Sequence, residues 1–387
     1  MSFNLRLLIV EDDSTERSTW TNTIDMHNAQ GDGQAFQIYC DFAVSQEQAN
    51  ELISKGDYDA AVVDIRLEQD GMNTPNSDGN FVVEQLLESE LAIVAVFTGE
   101  EAQVNIPDWA TTLVRTFRKG ADDGEGTPAV MKWLTANAPM IEPIRKAQQT
   151  IKREMVQLFT KSIWPRWSQW SKGNEAGNEY LELALTRHLA SHVHAVLLES
   201  SEQRAHPEEW YFIPPIRNGL RTGDLVKNSS GEYEIVITPR CDLAGVTRTE
   251  SIQLATCKLV SEEWKKRSDA VSASKARHTQ EVDIDKQPAL QKKVIEAAES
   301  LRRYTQHAGG KSNSHFLPQM NLPNGTSLGP FLVQFDKIRS IATTEDEISF
   351  LTKNRVASLT SEFLPSLVER LGSFFSRIGT PDYSHTD

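Results

Sequence analysis

The chain has 387 residues, 39% of them apolar, with eight tryptophans and a net charge of −14, which is long enough for two or three domains with their own cores. No apolar run approaches the roughly 20 residues of a membrane-spanning helix. Three cysteines, Cys40, Cys241 and Cys257, include no Cys-x-x-Cys pair and cannot make a disulfide framework, so composition argues against a helical membrane protein and a disulfide-stapled domain and leads us to expect a reducing, cytoplasmic location with no membrane partner.

The charge is unevenly spread. Residues 1–137 carry 24 Asp and Glu against 8 Lys and Arg, whereas the rest of the chain carries 30 against 32. An acidic first part is not expected to bind nucleic acid by itself, because contacts along a phosphate backbone need surface cations.

In chain order, the first element is the apolar run Leu7-Leu8-Ile9-Val10, which stops abruptly at Glu11-Asp12-Asp13. It lacks a small-residue cleavage site and passes directly into acids, so it reads as a strand and not a signal peptide. Strands are expected over Arg6–Val10, Phe36–Phe42, Ala60–Ile65, Ala92–Phe97 and Leu113–Phe117, with about five helices alternating between them. That alternation is the pattern of a parallel sheet covered on both faces. Ser45 and Gln48 have the spacing of a capping box, and Thr127-Pro128 supplies an N-cap followed by proline at the first helical position. Asn137-Ala138-Pro139 is expected to end this unit. Ile144, Ala147, Ile151, Met155 and Leu158 then recur at helical spacing, which reads as a helix packed on the second domain in preference to a connector or dimerisation helix. Trp164, Trp167 and Trp170 follow, and a second helix runs from about Glu179 to Glu199.

From Trp210 the texture turns to short strands: Trp210–Ile213, Asp224–Lys227, Tyr233–Thr238 and Ser251–Leu259, with a turn at Ser229-Ser230-Gly231. A small curled antiparallel sheet is expected, with a faint fold-level analogy to SH3-like barrels. Residues 261–307 read as helical, with Ser272–Lys286 as a loose loop. Phe316-Leu317-Pro318 echoes Phe212-Ile213-Pro214 too briefly to be a repeat. Phe331–Phe335 is a strand candidate. A last helix, Phe363–Ile378, aligns Leu364, Leu367, Leu371 and Phe374 or Phe375 on one face.

In a doubly wound sheet, ligands bind at the carboxyl ends of the strands. That rule gathers Glu11 and Asp12 after the first strand, Asp64 after the third, Thr98 after the fourth and Lys119 after the fifth. Clustered acids at buried strand ends need a cation or a proton, and three carboxylates can supply part of a magnesium shell completed by water.

At these residues the chain resembles the receiver domain of two-component response regulators over roughly residues 5–137. The matching segments are Leu8-Ile9-Val10-Glu11-Asp12-Asp13, Val62-Val63-Asp64-Ile65-Arg66-Leu67, Phe97-Thr98-Gly99 and Phe117-Arg118-Lys119. The resemblance implies a flavodoxin-like sheet of order 2-1-3-4-5 and phosphoryl uptake on Asp64 from a histidine kinase or phosphotransfer protein. It assigns Mg2+ to Glu11, Asp12 and Asp64, and phosphoryl contacts to Thr98 and Lys119, with a shift of the loop after strand four. Some positions depart from the family. Lys119-Gly120 replaces the usual lysine-proline pair, Thr116 stands where an aromatic residue is common, and Pro107 would break the fourth helix, expected over Glu100–Ala110. The loop Glu68–Asn80 is expanded. The site is therefore expected to be intact and the usual signalling face altered.

The second half shows no phosphate-binding glycine loop, no zinc-protease or serine-hydrolase motif and no helix-turn-helix. Basic clusters at Arg145–Arg153 and Lys265-Lys266-Arg267 read as solvated helix faces. His188, His192 and His194 share a helix but have no third ligand type nearby, which disfavours a metal site. Pro239-Arg240-Cys241-Asp242-Leu243 reads as a strand-end turn with Asp242 capping local backbone, since the adjacent carboxylate would raise the Cys241 thiol pKa.

The expected organisation is a receiver domain at 1–137, a helical connector at 140–205 and an α+β effector or interaction domain at 206–387. The expected role is a phosphorelay response regulator whose non-DNA-binding effector changes partner or forms a homodimer. The alternative is a degenerate receiver regulating a nuclease, hydrolase or nucleic-acid-binding module in a stress or defence system.

Overall fold

The structure is a computed structural model that describes residues 3–31, 34–67, 78–120, 126–172, 178–199, 205–216, 218–243, 250–306 and 313–376. The chain divides into two compact units, residues 1–201 and 202–387.

The first unit runs β1 (Phe3–Val10), α1 (Ser14–Ala29), β2 (Phe36–Ala43), α2 (Gln46–Lys55), β3 (Ala60–Val63), α3 (Asp78–Ser89), β4 (Ile93–Thr98), β5 (Val114–Arg118), α4 (Gly126–Leu158), α5 (Trp167–Trp170) and α6 (Asn178–Glu199). The five strands form one parallel sheet in the order β2-β1-β3-β4-β5, which is the flavodoxin-like arrangement. Strand residues alternate between two cores, as a pleated sheet buried on both faces requires. Leu7, Ile9, Val62 and Ala95 face Trp20, Val130 and Leu134, while Leu8, Val10, Val63 and Val96 face Ile53, Val83 and Leu86. Helix α2 begins as its sequence indicates: the Ser45 hydroxyl accepts the Gln48 N–H at 3.3 Å, and the Gln48 side chain accepts the Val44 N–H at 2.9 Å.

Pro107 has the expected effect. Where a fourth helix would lie between β4 and β5, there are only two 3-10 turns, Glu101–Gln103 and Asp108–Ala110. The unit therefore has one helix fewer around its sheet than its alternation suggested. Most of the expanded loop after Asp64, residues 68–77, lies outside the described residues.

The break expected at Asn137-Ala138-Pro139 does not occur. Helix α4 continues for 33 residues through Pro139 and Pro143, although an interior proline removes a hydrogen bond and costs about 3 kcal/mol. Contacts on both sides hold its axis. Ala138 and Ile141 are buried in the core, Arg145 forms an ion pair with buried Asp59, and Lys152 reaches Asp57 at 3.1 Å. The Asn137 amide also donates to the Trp133 carbonyl at 2.8 Å. Tertiary anchoring thus overrides the local signal.

The second unit runs β6 (Tyr211–Phe212), β7 (Asp224–Lys227), β8 (Tyr233–Val236), α7 (Arg240–Leu243), β9 (Ser251–Leu259), α8 (Ser261–Gln280), α9 (Gln287–Gln306), β10 (Ser314–Leu317), β11 (Met320–Asn321), β12 (Ser327–Leu328), β13 (Phe331–Ala342), α10 (Glu345–Lys353), β14 (Arg355–Leu359) and α11 (Leu364–Phe375). A separate antiparallel sheet follows the order β10-β13-β9-β8-β7-β14-β6. Its seven strands make it larger than the small unit expected, because β10 and β14 join it, and β13 extends to Ala342 past a register shift between Gln334 and Ile338. Two charged groups are tied in near the sheet. Asp224, fully buried, accepts the Ser358 hydroxyl at 2.5 Å and the Arg221 N–H at 2.8 Å, and Glu234 takes Arg339 in a two-point contact at 2.6 and 2.7 Å. Ser272–Gln280, expected as a loop, is the second half of α8. It has no buried residue, yet it stands because α8 packs along α9, where Arg267 lies over the Tyr304 ring at 4.8 Å. Helix α11 ends at Phe375, and Ile378 lies outside the described residues.

Candidate functional site

Register brings the strand-end residues to one level. Val10 pairs with Val63, the Asp64 N–H donates to the Val10 carbonyl at 2.9 Å and the Glu11 N–H to the Ala43 carbonyl at 2.9 Å, so Glu11 and Asp64 leave adjacent strands side by side. On the other flank, Thr98 pairs with Arg118, and the Lys119 N–H donates to the Thr98 carbonyl at 3.1 Å. Glu11, Asp64 and Thr98 are buried.

The Lys119 ammonium lies between the two acids, 2.7 Å from Asp64 Oδ2 and 2.6 Å from Glu11 Oε2. Burial works against its charge, but the hydrogen bonds to Asp64 and Glu11 outweigh it and raise the lysine pKa. The Glu11 pKa is raised as well, but there the rise disfavours the charged form. Burial pushes its carboxyl up to about 7 despite the pull of Lys119, and Asp64 adds to the rise. Asp12 completes the acidic group: one carboxylate oxygen from each of Glu11, Asp12 and Asp64 can lie within 4.8 Å of the others.

That donor set fits a magnesium ion. It is all oxygen, and burial pushes its Glu11 toward protonation although Lys119 lies beside it. Among the described residues it is the one cluster of this kind. His188, His192 and His194 do not form another; His188 instead lies 5.1 Å from the Trp170 ring.

The raised Glu11 pKa has a consequence for the metal-free protein. A carboxyl whose folded pKa exceeds its ordinary value contributes stability that is complete below pH 4.5 and is lost as pH rises through about 7. For the whole shift this amounts to at most about 3 kcal/mol. Urea unfolding in chelator should show this decline, and Glu11→Gln should flatten it; an unchanged slope in the variant would contradict the assignment.

Several supporting residues were not evident in the sequence. Asp13 is not a ligand candidate: its carboxylate caps α1 by accepting the Thr15 and Glu16 N–H groups at 2.6 and 3.3 Å, which lowers its pKa. Arg17, one turn into α1, donates to the Glu11 and Asp12 carbonyls at 2.9 and 2.5 Å and so fixes the acidic turn. The Thr98 hydroxyl accepts the Glu100 N–H at 3.2 Å, and the Glu100 carboxylate pairs with Arg66 at 2.8 Å. This joins the segments after β3 and β4. Gly79 packs directly on the main chain of Asp64, and its N–H donates to the Ile65 carbonyl at 3.1 Å. The only sequence signal for it was a glycine at the start of an apolar helix.

In the second unit, Arg240–Leu243 forms a single helical turn with Cys241 exposed. The Asp242 carboxylate accepts the Cys241 thiol at 3.4 Å, and residues 244–249, which follow this turn, lie outside the described residues.

Comparison with family models gives no match, and comparison with curated proteins gives none. Among solved structures, a fusion carrying the trimeric coiled coil of yeast Spc42 is 19% identical, with a TM-score of 0.27, and covers 41% of this chain and 97% of that one. A response regulator from Thermotoga maritima in complex with Mg2+ and BeF is 19% identical, with a TM-score of 0.24, and covers 34% of this chain and 98% of that one. A response regulator from Burkholderia pseudomallei with a phosphorylated aspartic acid, a calcium ion and citrate is 14% identical, with a TM-score of 0.24, and covers 40% and 85%. By its own sheet order and strand-end residues, the N-terminal unit is receiver-like. No helix among the described residues is long and apolar enough to cross a membrane.

Proposed function

We propose that this chain is a phosphorelay response regulator in which residues 1–137 accept a phosphoryl group on Asp64, residues 140–205 connect, and residues 206–387 act as a non-DNA-binding effector or adaptor. The observation that supports this most is Lys119 bridging Glu11 and Asp64 at the carboxyl end of a parallel sheet, with Thr98 on the adjoining strand.

The Asp64 carboxylate would attack the phosphorus of a phosphohistidine on a histidine kinase or phosphotransfer protein. An oxygen–phosphorus bond forms, the phosphorus–nitrogen bond breaks, and its electron pair returns to the imidazole. Lys119, already beside Asp64, offsets charge on the transferred oxygens. The Thr98 oxygen accepts the Glu100 N–H, which leaves its hydroxyl proton to donate to a phosphoryl oxygen. Glu11, Asp12 and Asp64 would hold Mg2+, which neutralises charge on the phosphoryl group when bound.

Phosphorylation would then act on the segment after β4. The 3-10 turns there, with Thr116 on β5 and Gly120 after Lys119, offer no common helix-four surface for a partner. Binding of beryllofluoride with Mg2+, followed by titration calorimetry, tests the reading. The wild type should bind and Asp64→Asn should not. A wild type that binds neither would favour a pocket kept without use.

A further inference from the structure

Helix α6 is apolar around most of its circumference, yet none of its described side chains is buried. A helix of that kind in a soluble fold is normally covered on all sides. One stripe is half covered: Leu181, Leu185, His188, His192 and Val196 are all partly buried, α4 packs along α6, and His188 rests against Trp170. The opposite stripe is exposed. Tyr180, Leu183, Arg187, Ala190, His194 and Leu197 recur at alternating spacings of three and four, the spacing of a helix-pairing seam. Tyr180 is 66% exposed, Leu183 47% and Leu197 40%.

We propose that this seam pairs antiparallel with the same seam of a second copy, with the two-fold axis near Ala190. The argument for a second copy is the symmetry of the seam itself. A two-fold interface must be self-complementary, and Leu183 and Leu197 lie seven residues on either side of Ala190. An antiparallel pair therefore sets Leu183 against Leu197 of the other copy at both ends and brings the smallest side chain to the axis, where the helices approach most closely. A parallel pair in register would instead set Arg187 against Arg187.

The area is sufficient. With Leu198, 44% exposed, the apolar residues of this face offer about 350 Å2, taking about 150–200 Å2 for a large side chain in full. Arg187, Ala190 and His194 between them bring the face to roughly 550 Å2 per copy, or about 1,100 Å2 in all, which clears the lower bound of about 1,000 Å2 for a specific interface. This inference does not depend on phosphoryl transfer at Asp64.

Sedimentation of the full chain at micromolar concentration tests it. The wild type should be a dimer, and Leu183→Glu combined with Leu197→Glu should raise the dissociation constant at least about 100-fold with unchanged circular dichroism. In a Cys241→Ser background, Ala190→Cys should oxidise to a linked dimer. Leu183→Cys should not, since antiparallel pairing holds its two copies about 21 Å apart. A monomeric wild type, a dimer that survives the double glutamate variant, or cross-linking at position 183 and not at 190 would each overturn the proposal. So would a monomer that floats with phosphatidylserine vesicles, which would make the face a membrane contact.

Discussion

Gly79→Ala is expected to cost about 3 kcal/mol or more and to lower phosphoryl uptake by roughly 100-fold. A Cβ at this position would sit 2.0 Å from the Asp64 carbonyl oxygen and 2.5 Å from Ile65 Cα. Both obstacles are main chain, so no side-chain rotation relieves them. The start of α3 must move away from β3, or the Asp64 main chain must move out of register with Glu11. Either shift displaces Asp64, the proposed nucleophile, and a misplacement of about 1 Å is enough for a loss of that size. Gly99→Ala is the matched control, because an added Cβ there meets nothing within 4 Å, and it should unfold and react like the wild type. Unfolding curves and phosphorylation rates of the two variants check the prediction. Equal behaviour would show that the packing of Gly79 does not position Asp64.

Lys119→Ala should separate two effects that coincide in the wild type. Removing the ammonium leaves Glu11 and Asp64 buried without the cation that lies 2.6 and 2.7 Å from them. Breaking a buried pair by deleting one partner costs about 3–5 kcal/mol, and the partial exposure of Lys119, together with proton uptake by the acids, should bring the cost nearer to about 2 kcal/mol. Phosphoryl transfer should fall further, by about 100- to 1,000-fold, because the charge of the transferring group loses a preplaced donor. Magnesium should in contrast bind at least as tightly as in the wild type, since it no longer competes with the lysine for the same oxygens. Titration of the metal against the variant reads that third outcome directly. Weaker magnesium binding at a pH where the acids are ionised would mean that the three acids are not its ligands.

The legible parts of the fold were those in which one strand carries its own evidence. A parallel strand buried on both faces reads as an unbroken apolar run, so Leu7–Val10 and Ala61–Val63 announce both themselves and the acids that end them. The receiver-like sheet and the Glu11, Asp12, Asp64, Thr98 and Lys119 set were legible for that reason. Pro107 also spoke locally, and the segment around it did not form a helix.

What the sequence hid depends on distant partners. Pro139 and Pro143 signal a break, but Asp59 and Asp57, some 90 residues upstream, anchor the helix beyond them. Gly79 carries no pattern that reveals what lies against it. The second sheet is harder still. Its neighbours β13 and β9 are joined across α8 and α9, and β14 pairs with both β7 and the two-residue β6, so these pairs, unlike the β7–β8 hairpin, lie in no short window of sequence. The polar half of α8 read as a loop because its support comes from α9 and not from burial.

Mass analysis of the chain after incubation with acetyl phosphate and Mg2+ tests the central claim most directly. The wild type should gain one hydroxylamine-labile phosphoryl group, with none gained by Asp64→Asn or in the presence of chelator. A wild type that gains none, or an Asp64→Asn variant that gains the same group, would contradict the account.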